Sequence, residues 1–137
     1  MASYKPTEGM VEEAKRGLEW RREFGRGGTE VGIARARDIQ GGKNLSESTV
    51  KRMHSFFSRH EVDKKAEGFR PGEDGYPSNG RIAWALWGGD AGQRWARGLT
   101  TIIDKDERAE EVSDSVRTAL AKKAADHNEK VGDTASK

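Results

Sequence analysis

Residues 45–60 read LSESTVKRMHSFFSRH, a run that opens with helix-capping chemistry and continues at helical spacing. Ser46 is suited to accept from unpaired backbone N–H groups as an N-cap, Glu47 favours the positive helix end, and Leu45 with Val50 have the spacing of a hydrophobic staple. Val50, Met53, Phe57 and His60 recur once per turn as an inward stripe, which leaves Lys51, Arg52, His54 and Arg59 partly or wholly outside.

Upstream, Glu30 to Gln40 predicts a second helix, capped by Thr29 and stopped by Gly41-Gly42, with Ile33, Ala36 and Ile39 inward and Arg35 and Arg37 outward. Before it, Gly25-Arg26-Gly27-Gly28 breaks a first amphipathic helix that starts at the Thr7 cap and carries Met10, Val11, Ala14 and Leu18 on one face. Arg21 projects from that face and needs a partner, for which Asp90 is the candidate. Trp20 and Phe24 sit together on its edge at i, i+4 spacing.

Downstream, glycines and prolines from Gly68 to Gly80 end the helical periodicity and predict a long loop over Glu61 to Gly80, pinned to the body by Phe69 and Tyr76. Arg81 to Trp87 then reads as a short helix. Asp90 caps another whose face is Ala91, Trp95, Leu99 and Ile102. A last, weakly apolar helix follows a cap at Asp104 or Asp106 and carries Val112, Val116, Ala119 and Leu120, with fraying expected from Asp126 to Lys137. The pattern predicts an all-α fold, a compact bundle of five or six short helices with a long Gly/Pro-rich loop. A single helical domain would occupy residues 1–103, with an amphipathic helix and tail over 104–137.

Composition excludes several function classes. The 137 residues contain no Cys and three scattered His, so no disulfide framework, thiolate nucleophile, Cys-type zinc site or all-His metal site is expected, and no cofactor is. No apolar run approaches the ~20 residues that cross a bilayer, so no membrane partner is expected. With 33% hydrophobic and 35% charged positions the core must be small, and large rings must supply much of it, so Trp84 or Trp87 together with Trp95 are expected to pack on the first and third helices.

The net charge of +2 conceals a division. Residues 15–60 hold eleven basic and five acidic side chains, a net +6, and the remainder sums to −4. This points to nucleic-acid phosphates as the partner of a basic helical face made of Arg22, Arg26, Arg35, Arg37, Lys43, Ser48, Lys51 and Arg52. Arg26 and the glycine turn would approach a phosphate at a helix start. The second and third helices invite comparison with a helix-turn-helix, although the Gly41 to Leu45 connection is longer than its usual turn. Two other functions compete: a virion or host-directed protein-binding module using the Trp20/Phe24 edge, and a metal-dependent nuclease or hydrolase centred on His60, Glu61 and Asp63.

Several blocks together carry a resemblance: Arg16-Gly17-Leu18-Glu19-Trp20-Arg21, Gly25-Arg26-Gly27-Gly28-Thr29, Val31-Gly32-Ile33-Ala34-Arg35-Ala36-Arg37, Leu45-Ser46 through His60-Glu61-Val62-Asp63-Lys64, and Ile82-Ala83-Trp84 through Trp87-Gly88-Gly89-Asp90-Ala91-Gly92. Over about residues 5–98 the chain resembles a small helical domain of tailed phages and prophages, found alone or joined to head-maturation proteins of the PBSX protease type. The resemblance implies a phage setting, in host cytoplasm or virion, and a virion- or DNA-associated role. It transfers no catalytic residue.

Overall fold

The computed structural model describes the backbone of residues 2–135 and the side chains through residue 123. The fold is all-α, with five helices in chain order: α1 (Glu8–Phe24), α2 (Glu30–Gln40), α3 (Glu47–His60), α4 (Asn79–Leu86) and α5 (Gly89–Ala135). A 3₁₀ helix, Glu61–Lys65, follows α3. Two short strands, β1 (Ser3–Tyr4) and β2 (Leu45–Ser46), pair antiparallel. The chain divides into two units, residues 1–100 and 101–137.

Local chemistry explains the boundaries. Thr7, Thr29, Ser46 and Ser78 each accept a backbone N–H of the first turn of the helix they precede. Gly25 ends α1 in the left-handed conformation, φ 64°, and closes it with a bond from its N–H to the Arg21 carbonyl. The next two glycines serve packing. Gly27 and Gly28 have φ of 91° and 76°, and a Cβ on either would stand 2.7 Å from Ile82 or 2.5 Å from Leu86. The turn thus lets the chain pass directly over α4.

In the first unit α1 packs on α2 and α4, while α3 packs on the 3₁₀ helix and α4. Met10, Ile39, Val50, Met53, Phe57, Ile82, Trp84 and Leu86 are fully buried at the centre. Phe57 meets Trp84 edge-on at 4.8 Å, Phe69 meets Trp84 at 6.0 Å, and Phe56 stacks on Trp87 at 4.6 Å and 11°. Burying such rings is how a chain poor in aliphatics closes a core. Phe56, left out of the expected stripe on α3, is buried too, whereas His60 is half-buried at its end.

Several expectations change. The loop after α3 opens with the 3₁₀ helix Glu61–Lys65 instead of being irregular throughout, while Phe69, buried, and Tyr76, edge-on against Trp20 at 5.7 Å, pin it as expected. α4 begins at Asn79 because Ser78 caps it, two residues before the expected start. Asp90 is not a cap. It lies in the first turn of α5, which starts at Gly89. The inward residues of that region are Gly92, Gln93 and Ala96, while Trp95 and Leu99 are half-buried. Close approach decides this, since a Cβ at Gly92 would meet the Trp87 carbonyl at 2.7 Å and the Phe57 ring at 3.1 Å.

No cap interrupts the chain at Asp104 or Asp106, because α5 continues helical to Ala135. The stretch from Asp126 to Ala135, where fraying is expected, is part of that helix, and Ser136 and Lys137 lie outside the described residues. The helix-turn-helix comparison also fails. Leu45–Ser46 is drawn into the ladder with Ser3–Tyr4, and α2 packs chiefly on α1 instead of on α3.

Candidate nucleic-acid interface

One spacing on α3 organises the site. Starting from Arg52, the positions three, four, seven, eight and eleven residues on are Ser55, Phe56, Arg59, His60 and Asp63, a single helical face continued into the 3₁₀ helix. All six line a groove of about 690 Å³. Lys51 joins them on the α3 side. Across the groove lie Gly28, Thr29 and Val31 from the start of α2, and Asn79, Gly80 and Ala83 from the start of α4, with Trp87 at the base.

The groove has an apolar floor and a cationic rim. Phe56 and Trp87 are 7% and 8% exposed, and His60 lies against Phe56 with ring centroids 4.6 Å apart. Lys51, Arg52, Arg59 and His60 stand along one side, with Asp63 the only acidic lining residue. The His60 Nδ1 lies 3.4 Å from Asp63 Oδ2, which orients the imidazole. A Cβ at Gly80 would come within 3.0 Å of Asp63, so the bare backbone of α4 is what gives that carboxylate room. Thr29 and Ser78 take the N–H groups of Gly32 and Arg81, and the first turns of α2 and α4 present the positive ends of their helix dipoles on this side of the groove.

The other expected site residues separate into different environments. Arg26 donates to the Pro77 carbonyl at 3.0 Å and to Asn79 Oδ1 at 2.8 Å, with its guanidinium over the Phe24 ring. It therefore fastens the glycine turn to the start of α4, where a phosphate was expected. Arg35 is not outward: its side chain is 14% exposed, sits 5.7 Å from the Trp87 ring centre and pairs with Asp38 at 3.5 Å. Lys43 stands 3.9 Å from the same Asp38. Ser48 is exposed but is engaged with the Ser46 hydroxyl at 3.1 Å.

Arg22 and Arg37 line a second, smaller hollow with Arg21, Leu18, Ile33 and Gln40. Ile33, Arg37 and Gln40 lie about 180–240° around α2 from Val31, which lines the groove. The +6 window is thus two basic clusters on opposite sides of α2 plus internal arginines, and one continuous face does not form. Arg21 and Asp90 do not pair. Asp90 accepts from Trp84 Nε1 at 2.9 Å and from Lys64 at 2.9 Å, so its carboxylate is already held. Burial would raise its pKa, but the hydrogen bonds from Lys64 and Trp84 and the charges of Lys64 and Arg81 outweigh that and hold it below the ordinary carboxylate value.

The Trp20/Phe24 edge is divided: Arg81 lies 5.0 Å and Arg16 5.7 Å from the Trp20 ring centre and Tyr76 packs on the same ring, while Phe24 stays 41% exposed. Glu61 is exposed and does not line the groove, and among the described residues no group of three or more His, Asp or Glu side chains is placed to hold a metal ion. Trp84 and Trp87 are buried in the core and Trp95 is half-buried.

Arg59 lies in the basic window but outside the expected basic face, and Phe56 lies outside the expected inward stripe. The spacing from Arg52 that joins them is legible in the sequence once the stripe of Val50, Met53 and Phe57 is set aside. Lys64 and Arg81, which hold the internal network, have no such signal. No family model matches the chain, and no curated protein or solved structure matches it significantly. Among the described residues no helix is long and apolar enough to cross a membrane.

Proposed function

We propose that this protein binds single-stranded nucleic acid in the groove between α3 and the starts of α2 and α4, as a non-enzymatic, phage-associated protein of the host cytoplasm or virion. The observation that carries the reading is the convergence of Lys51, Arg52, Arg59 and His60 on one rim of a recessed, largely apolar groove with a single carboxylate, itself beside His60. Phosphates would lie along the rim, where cations displace their counterions. The apolar floor and the half-buried His60 ring suit an unstacked base, a combination found where single strands are held without sequence readout. A recessed groove of this size admits one strand more readily than the convex surface of a duplex. The setting rests on the resemblance of residues 5–98 to the phage and prophage domain.

The test is fluorescence anisotropy with labelled single- and double-stranded oligonucleotides. Binding should favour the single strand and fall sharply for Arg52→Glu/Arg59→Glu, while Arg22→Glu/Arg37→Glu on the other side of α2 should retain it. Equal loss from both double variants would disprove the assignment to the groove.

A further inference from the structure

The helix over residues 101–123 presents aliphatic side chains to solvent. Every described residue from Asp104 to Lys123 is exposed, and Val112, Val116 and Leu120 retain 63%, 51% and 61% of their accessible surface. Counting three, four and seven positions either way from Val116 reaches Ala109, Val112 and Ser113 on one side and Ala119, Leu120 and Lys123 on the other. At 3.6 residues per turn all seven share a face. A mainly apolar seam on an otherwise charged helix is the surface that a second helix covers in a coiled coil.

The charges say which second helix fits. Residues 104–114 carry six acids, Asp104, Asp106, Glu107, Glu110, Glu111 and Asp114, against Lys105 and Arg108, a net −4. Residues 117–123 carry Arg117, Lys122 and Lys123 and no acid, a net +3. A parallel copy would set like charge against like. An antiparallel copy crossing at Val116 sets Glu110 and Glu111 against Lys122 and Lys123 of the other copy and Asp114 near its Arg117.

We infer that residues 109–123 form an antiparallel helix pair with a second copy of this chain, making the protein a homodimer through its second unit. The seam centres on Val116 meeting its symmetry mate, with Val112 of each copy near Leu120 of the other. This dimer is independent of the groove and of what the groove binds.

Sedimentation equilibrium on the full chain should give the mass of two copies, and Val116→Asp should give one copy with unchanged tryptophan emission. Glu110→Lys/Glu111→Lys and Lys122→Glu/Lys123→Glu should each weaken the dimer, and all four changes in one chain should restore it, which a parallel pair would not show. Because the chain has no Cys, a spin label on Asp104→Cys is unique. Twelve residues from the crossing at ~1.5 Å each put the two labels about 36 Å apart, against about 10 Å in a parallel pair. A monomer at all concentrations, a dimer that survives Val116→Asp, or the short separation would overturn the inference.

Discussion

Arg52 and Arg81 are both arginines on amphipathic helices of the first unit, yet their side chains meet opposite conditions. Arg52 is exposed on the groove rim. Arg81 is 11% exposed, donates to both oxygens of Glu13 at 3.0 and 3.2 Å, and lies over the Trp20 and Phe69 rings. The guanidinium suits both places, because its planar fork grips a carboxylate two-handed and stacks on rings as readily as it meets phosphate. A count of basic residues cannot separate the two uses. Substitution can, since an internal arginine changes stability and a rim arginine changes ligand affinity.

The largest effect should come from Arg81→Ala, which leaves Glu13 only its 3.9 Å contact with Arg16 and removes one cation from the Trp20 ring. We expect a loss of roughly 2–3 kcal/mol in urea unfolding, less than for a fully dry pair because Glu13 keeps 24% of its side-chain surface. Arg35→Ala should cost about 1 kcal/mol through its contact with Trp87, with oligonucleotide affinity unchanged. If Arg35→Ala instead weakened binding and left the urea midpoint alone, the division between internal and rim arginines would collapse.

Asp90 adds a pH signature. Its folded pKa lies below the unfolded carboxylate value of about 3.9, so its contribution is complete above that value and drains away as pH falls through the folded pKa. Asp90→Asn should lack this part of the acid destabilisation, as thermal melts between neutral pH and pH ~3 would show. An identical pH dependence in both proteins would mean that the Lys64–Asp90–Trp84 contacts are not formed in solution. The smallest stability effect belongs to the rim: Arg52→Gln and Arg59→Gln should each stay within about 0.5 kcal/mol of the parent.

Much of the architecture was readable because it rests on local chemistry. Thr7, Thr29 and Ser46 announce helix starts by their own hydrogen bonding, and the spacing of Val50, Met53 and Phe57 announces a buried face. Asp90 was misplaced because its partners Lys64 and Trp84 are brought to it by the fold, and sequence spacing holds no trace of that. Arg26 was misread for a related reason: Asn79 and the Pro77 carbonyl reach it only once the loop folds back. The helix of residues 104–123 shows the limit from the other side. Its stripe at Val112, Val116 and Leu120 has the periodicity of α3 but remains exposed, since periodicity marks a face and does not say what covers it.

The most direct test of the groove as a nucleic-acid interface is the salt dependence of single-strand binding for the parent protein and for Lys51→Gln/Arg52→Gln/Arg59→Gln. Each rim cation that neutralises a phosphate contributes about 0.7 to the slope of log affinity against log salt. The triple variant should therefore be flatter by roughly 2, with an unchanged unfolding midpoint. A parent protein whose binding ignores salt, or a triple variant with the parent's slope, would contradict the account.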